Sequence, residues 1–186
     1  MSSPFMFHII PYQAADDDID TYTFISCDDI DEQVVMTLLD KIYQQLVLDH
    51  YKSPRNMRRL DEEETIKLPY KNPTCGDVMV LYVNTQKETI CDITFEGEGC
   101  SISMASCSMM TAAVKGQPTM AVKQLIEAFT RMIKEGSTPA EEVADILQDA
   151  ISLSGVHSLK ARHNCALMGW QALNKILERH QTDKGE

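Results

Sequence analysis

Residues 78–96 read VMVLYVNTQKETICDITFE, two apolar runs rich in β-branched and aromatic residues, parted by a polar stretch at 84–88. This pattern predicts strands over 78–83 and 90–96 with a turn between them. In the second run Cys91, Ile93 and Phe95 alternate with Asp92, Thr94 and Glu96, so one face is buried and the other wet, with Cys91 expected on the core side. A third candidate strand covers 65–68, behind an acidic turn at 61–64.

On either side of these strands the period changes to that of helices. Downstream, helices are expected over 101–115, 119–134, 139–150 and 166–180, punctuated by Gly116-Gln-Pro, Gly136-Ser-Thr-Pro and Ser154-Gly. Pro139 suits a first helical turn, with Thr138 as its cap and Glu141 and Glu142 at the positive end. Upstream, Leu38, Leu39, Ile42, Tyr43, Leu46 and Val47 recur at three- and four-residue steps, an amphipathic helix that Pro54 brings to an end near Tyr51. Strands followed by helices predict an α+β domain, a small antiparallel β-sheet of about three strands packed against four to five helices.

The chain has 186 residues, 44% of them hydrophobic, enough for one domain with a real core. Its net charge of -11 is concentrated at one end, because residues 1–35 hold eight acids and no Lys or Arg, leaving 20 acids against 17 bases beyond them. The remainder is nearly balanced, and no basic cluster invites nucleic acid. No apolar run approaches the roughly twenty residues of a membrane helix, and no basic segment followed by an apolar core opens the chain. A reducing, cytoplasmic setting is expected for the six cysteines. The first 35 residues show no period that could bury a face and are expected to be a mobile acidic extension, with the domain over 36–186 and Met36 as the natural start.

Three cysteines stand at turns: Cys75 in NPTCGD, Cys100 in GEGCSIS and Cys165 in HNCA. The brevity of the first turn and the freedom of Gly76 keep the Cys75 thiol near the surface, with Asp77 close enough to share a metal. Cys100 and Cys165 each begin a predicted helix, where unpaired N–H groups and the helix dipole favour a thiolate. Three sulfurs and a carboxylate suit either zinc or an iron-sulfur cluster. Cys91 and Cys107 are expected in the core, and Cys27, in the acidic extension, has no assigned role. His163 is a ligand by chemistry but is expected to be solvated, since the other four groups complete a site. His50 is expected to cap or hydrogen-bond its own helix end, and Met104, Met109 and Met110 to serve as packing.

Three segments, DHYKSPRN from Asp49, NPTCGD from Asn72 and FEGEGCSISMAS from Phe95, resemble the IscU/NifU-like iron-sulfur cluster assembly family over residues 36 to 180. Within it the chain is similar to the SufU branch, having an insertion between the second and third cysteines and no Pro-Pro chaperone-recognition motif before the last. The resemblance implies an IscU/SufE-like fold, one zinc held by Cys75, Asp77, Cys100 and Cys165, and a sulfurtransferase that accepts persulfide sulfur from the cysteine desulfurase SufS and passes it toward a downstream Suf cluster-assembly scaffold. In the IscU branch a histidine directly precedes the last cysteine; here Asn164 stands there, and His163 is one position off. Arg162 matches an arginine of the SufU branch and is expected to sit over the metal site and take part in docking. Cys75, on the most flexible of the three segments, is the expected acceptor, leaving the metal when SufS docks while a partner residue replaces it. The alternatives are a scaffold for a nascent 2Fe-2S cluster, or iron in the same ligands, and a domain with purely structural zinc.

Deleting residues 1–35 is expected to leave the helical circular-dichroism signal and metal binding intact. Loss of either would place that stretch inside the folded domain.

Overall fold

The segment after the acidic extension enters the fold as a helix, and it does so earlier than the apolar stripe predicts. The computed structural model describes residues 32–182, and α1 runs Glu32–Lys52, starting four residues before Met36. The remainder of the acidic extension, with Cys27, lies outside the described residues. The stripe on α1 is used unevenly: Leu46 and Val47 pack on the core, whereas Leu38, Leu39 and Ile42 are exposed.

The sheet is an antiparallel meander of three strands, β1 Ile66–Lys71, β2 Val78–Gln86 and β3 Thr89–Glu98, in the order β1-β2-β3. β1 runs through Pro69, three residues past the expected end, because it is an edge strand whose outer N–H row needs no partner. Between β2 and β3 the turn tightens to two residues, Lys87 and Glu88, both at positive φ (47° and 63°), the primed geometry that matches strand twist. The register slips beside it: Asn84 pairs with Asp92 and Thr85 with Ile90, so Cys91 is the extra residue of a bulge. Cys91 is therefore exposed, contrary to the expected alternation, while Ile90 and Ile93 on either side of the bulge are both fully buried.

α2 (Ser101–Val114) follows β3 directly and is buried on nearly every face, which its run of Ser, Ala, Cys and Met permits. The sheet, α1 and α5 all pack on it. Cys107, Met104, Met109 and Met110 lie in the core as expected. α3 (Thr119–Glu135) buries Val122, Leu125, Ile126, Phe129, Met132 and Ile133 at helical spacing and ends on Gly136 at φ 70°, whose N–H bonds the Met132 carbonyl. Phe129 stacks on Trp170 of α5 (His163–Thr182) at 4.3 Å between centroids, and the indole N–H donates to Ser106 at 3.2 Å.

The region expected as a single helix over 139–150 divides. α4 spans only Glu141–Leu147, with Ala140 rather than Thr138 at its N-cap and no side-chain cap. Gln148 at φ 46° breaks it, and a 3-10 helix, Gln148–Ser158, continues through the expected Ser154-Gly stop. Three residues per turn is what buries Ala150, Leu153 and Val156 along one side. A short 3-10 turn, Lys160–Arg162, leads into α5, which starts three residues before the expected position.

His50 does not cap its helix. It is buried, with Nδ1 2.8 Å from Ser108 Oγ in α2 and Nε2 3.0 Å from Asp149 Oδ2 in the long 3-10 helix. The Asp149 carboxylate can only accept, so it takes the Nε2 proton, and in the neutral ring Nδ1 accepts the proton of Ser108, whose oxygen also accepts the Arg55 N–H at 2.7 Å. Three elements are bolted together by one imidazole. Replacing it, His50→Ala, should lower stability by about 2 kcal/mol through the lost bonds and the cavity, read as a reduced urea midpoint. A shift indistinguishable from zero would show the bolt to be dispensable.

Candidate metal centre

The centre is assembled from the β1–β2 connection, the β3–α2 corner and the first turn of α5. Residues 72–77 form the first of these. The Asn72 N–H bonds the Asp77 carbonyl at 2.9 Å and its side-chain Oδ1 accepts the Thr74 N–H at 3.0 Å, so an Asx-type turn lifts Cys75 to the loop's tip. Gly76 is not held in a left-handed conformation, and a Cβ there would meet nothing within 4 Å. The conformational freedom expected of it is not used in this state.

Cys100 is the N-cap of α2, and its backbone N–H points at Asp77 Oδ1, 3.3 Å away, placing the carboxylate at the positive end of a buried helix. The approach is close enough to require glycine. A Cβ on Gly99 would lie 2.6 Å from Ser103 Oγ and 2.9 Å from Asp77 Cγ, and one on Gly97 would lie 2.3 Å from the Val78 carbonyl oxygen.

Cys165 sits in the first turn of α5, as expected of a helix start, and is buried there. Its Sγ is 3.6 Å from Cys75 Sγ. The ligand atoms of Cys75, Asp77 and Cys165 all lie within 4.8 Å of one another, and Cys100 adjoins them through its backbone N–H on Asp77. Three of the four candidate ligands thus converge, with the fourth beside them.

The chemistry of the site fits a cation. Asp77 Oδ2 is buried and has no hydrogen-bond partner, an arrangement that costs free energy unless something positive completes it. Burial opposes ionisation of Asp77, yet donors from Cys75, Ser103 and Cys100 outweigh it and hold the carboxyl below its ordinary range. Burial above all, then the neighbouring Cys75 and Cys100, pushes the Cys165 thiol up to about 12, so without a metal it keeps its proton. Three thiols and a carboxylate of this kind suit zinc, or iron with sulfide.

Two further residues singled out from the sequence lie at the entry to α5. His163 directs Nε2 to the His157 carbonyl at 2.8 Å, with the two imidazoles 6.3 Å apart between centroids. Arg162 is exposed in the turn before α5. Three residues without an expected role serve the site: Asn72, whose Nδ2 donates toward Cys165 Sγ at 3.8 Å; Ser103, whose hydroxyl is 3.5 Å from Cys100 Sγ; and Asn164, whose amide bonds Thr74 Oγ1 and braces the 72–77 loop against α5. An Asn before Pro and a Ser three residues into a helix were the available signals.

Residues 42–166 match the family model described as the NifU-like N terminal domain. The chain belongs to this family. It is 41% identical over 137 residues to a Bacillus subtilis protein named zinc-dependent sulfurtransferase SufU, covering 74% of this chain and 90% of the relative. It is 36% identical over 156 residues to a Streptococcus pyogenes protein named iron-sulfur cluster assembly scaffold protein IscU, covering 81% and 95%. A crystal structure from Fervidobacterium islandicum, titled a putative iron-sulfur cluster assembly scaffold protein for the SUF system, superposes with a TM-score of 0.66 at 26% identity, covering 74% of this chain and 97% of that one. The α+β fold expected from the strand and helix order is that of the family, and no helix among the described residues is long and apolar enough to cross a membrane.

Two outcomes follow from this geometry. Gly99→Ala, which must displace Asp77 or Ser103, should weaken zinc binding by about tenfold or more in chelator competition while the fold survives. Because Cys165 is protonated in the empty site, loading zinc at pH 8 should release at least one proton per ion, and affinity should fall as pH falls. A pH-stat titration reads this directly, and zero release would contradict it.

Proposed function

We propose that the chain is a zinc-dependent sulfurtransferase of iron-sulfur cluster assembly, taking sulfur from the persulfide of the cysteine desulfurase SufS and passing it toward a Suf cluster-assembly scaffold. The observation that carries this reading is the convergence of Cys75, Asp77 and Cys165, with Cys100 adjoining, in a chain 41% identical to a named zinc-dependent SufU. Cys75, Asp77, Cys100 and Cys165 would hold the zinc, which when bound keeps the thiols ionised at neutral pH.

Cys75 is the acceptor. It sits at the tip of a loop, half-buried, whereas Cys165 is buried in a helix and Cys100 caps another. With zinc bound, Cys75 would have to leave the ligand set as SufS docks, a SufS residue taking its place; as a free thiolate it attacks the outer sulfur of the SufS persulfide. A new sulfur-sulfur bond forms as the old one breaks, the SufS cysteine leaves as a thiolate, and Cys75 becomes the persulfide. One such bond replaces another, so no external oxidant is needed. Arg162, exposed just before α5 and three residues from Cys165, offers a fixed positive charge for docking.

A second reading, a scaffold for a 2Fe-2S cluster on the same ligands, draws support from the similarity to the Streptococcus relative. Against it stands Asn164, which occupies the position before the last cysteine and braces Thr74 instead of offering an imidazole.

Cys75→Ser is expected to fold and to lose labelled-sulfur acceptance from SufS by more than about a hundredfold, since a serine hydroxyl is not ionised at neutral pH. Metal, iron and sulfide content measured in the same gently purified samples separates transferase from scaffold. Full transfer by the variant would remove Cys75 from its role.

A further inference from the structure

The centre holds three thiols of the same residue type, and access alone does not set Cys75 apart: Cys165 is buried, but Cys75 and Cys100 are both half-buried. The donor aimed at each sulfur does separate them. Asn72, only 1% exposed, directs its side-chain Nδ2 at Cys165 Sγ, 3.8 Å away. Its orientation is not free, because the Thr74 N–H can only donate and therefore identifies the other end of the amide as the oxygen. Ser103, fully buried, has one hydroxyl proton, for which Cys100 Sγ at 3.5 Å competes with the Cys100 carbonyl at 2.9 Å and the Asp77 carboxylate. Among the described residues Cys75 Sγ has no N–H or O–H donor; its neighbours are the Cys165 thiol and the Asp77 carboxylate.

A donor on a metal-bound thiolate draws electron density from the sulfur lone pairs, which stabilises the charge and makes that sulfur a poorer nucleophile. We propose that Asn72 and Ser103 select the sulfur acceptor by hydrogen-bonding the sulfurs of Cys165 and Cys100, holding those two as quiet ligands and leaving Cys75 as the reactive thiolate. This rests on the reading of Cys75 as acceptor given above. Neither residue touches the transferred sulfur, so both are selectivity residues acting through the ligands. Asn72 does a second job with the same side chain, since its Oδ1 also shapes the loop that carries Cys75.

The test uses the zinc-loaded full chain under limiting iodoacetamide, with alkylation mapped by peptide mass and the exposed Cys91, outside the site, as internal reference. In the parent protein Cys75 should be modified about tenfold faster than Cys100 or Cys165, the scale of one hydrogen bond to a charged sulfur. Asn72→Asp keeps an oxygen for the Thr74 N–H but loses the donor, and should raise Cys165 modification relative to Cys91 by about tenfold; Ser103→Ala should do the same for Cys100. Burial alone predicts no change in either variant. Should Asn72→Asp lose zinc, Ser103→Ala decides, together with the cobalt-substituted protein, whose thiolate-to-metal charge-transfer band should move to lower energy when the donor is removed. An unchanged alkylation order with zinc still bound, an unmoved band in Ser103→Ala, or parent protein modified first at Cys100 or Cys165 would each overturn the proposal. The assay contains no desulfurase, so failure of Cys75 to accept sulfur from SufS would leave the alkylation order standing, and the two ideas fail separately.

Discussion

Helix α2 is enclosed on nearly every side, and that constraint decides where the cysteines can meet. A helix so buried must be made of small and adaptable side chains, must have the sheet, α1 and α5 packed against it, and has only its ends free to do chemistry. Its N-terminus opens at Cys100, where backbone N–H groups have no helical partners. Asp77 answers one of them. Because β3 runs into α2 with only Gly99 and Cys100 between, the position of that carboxylate is tied to the sheet register, and the β1–β2 loop that carries Cys75 is tied with it.

The result is a site built on two helices and the entry to a strand, with one member on a loop. Cys100 and Cys165 are carried by helices that pack into the core, and Asp77 leads into a central strand. Cys75 alone is borne by a loop, closed by Asn72 at its base and braced by Asn164 from α5. Identical thiols are thereby given different surroundings. Fold supplies the difference that composition cannot, since the sulfur atoms themselves are the same.

Much of this was legible in the chain. Strand alternation, the helical stripes and the turn residues around Cys75, Cys100 and Cys165 were sufficient to expect an α+β domain with a small antiparallel sheet and a site at its turns. The failures have specific causes. Unbroken alternation through residue 91 places Cys91 in the core, but a bulge beside the tight Lys87–Glu88 turn reverses the phase there. The helix expected over 139–150 became a short helix and a 3-10 run because burying Ala150, Leu153 and Val156 rewards a period of three. Its place at a helix end suggests a local cap for His50, whereas its partners lie 58 and 99 residues away.

Sequence by itself determined the chemistry on offer: which thiols lie at turns or helix starts, that a carboxylate lies two residues from one of them, and that strands precede helices. Those are local properties, set by propensity and spacing over a few residues. Tertiary structure alone decided that Cys75, Asp77 and Cys165 converge with Cys100 beside them, that Asp77 ends beneath a helix N-terminus with one oxygen unanswered, and that Asn72 reaches the sulfur of Cys165. Each of these depends on contacts between segments as much as 93 residues apart, and such contacts form only when the burial of a shared core brings distant segments together.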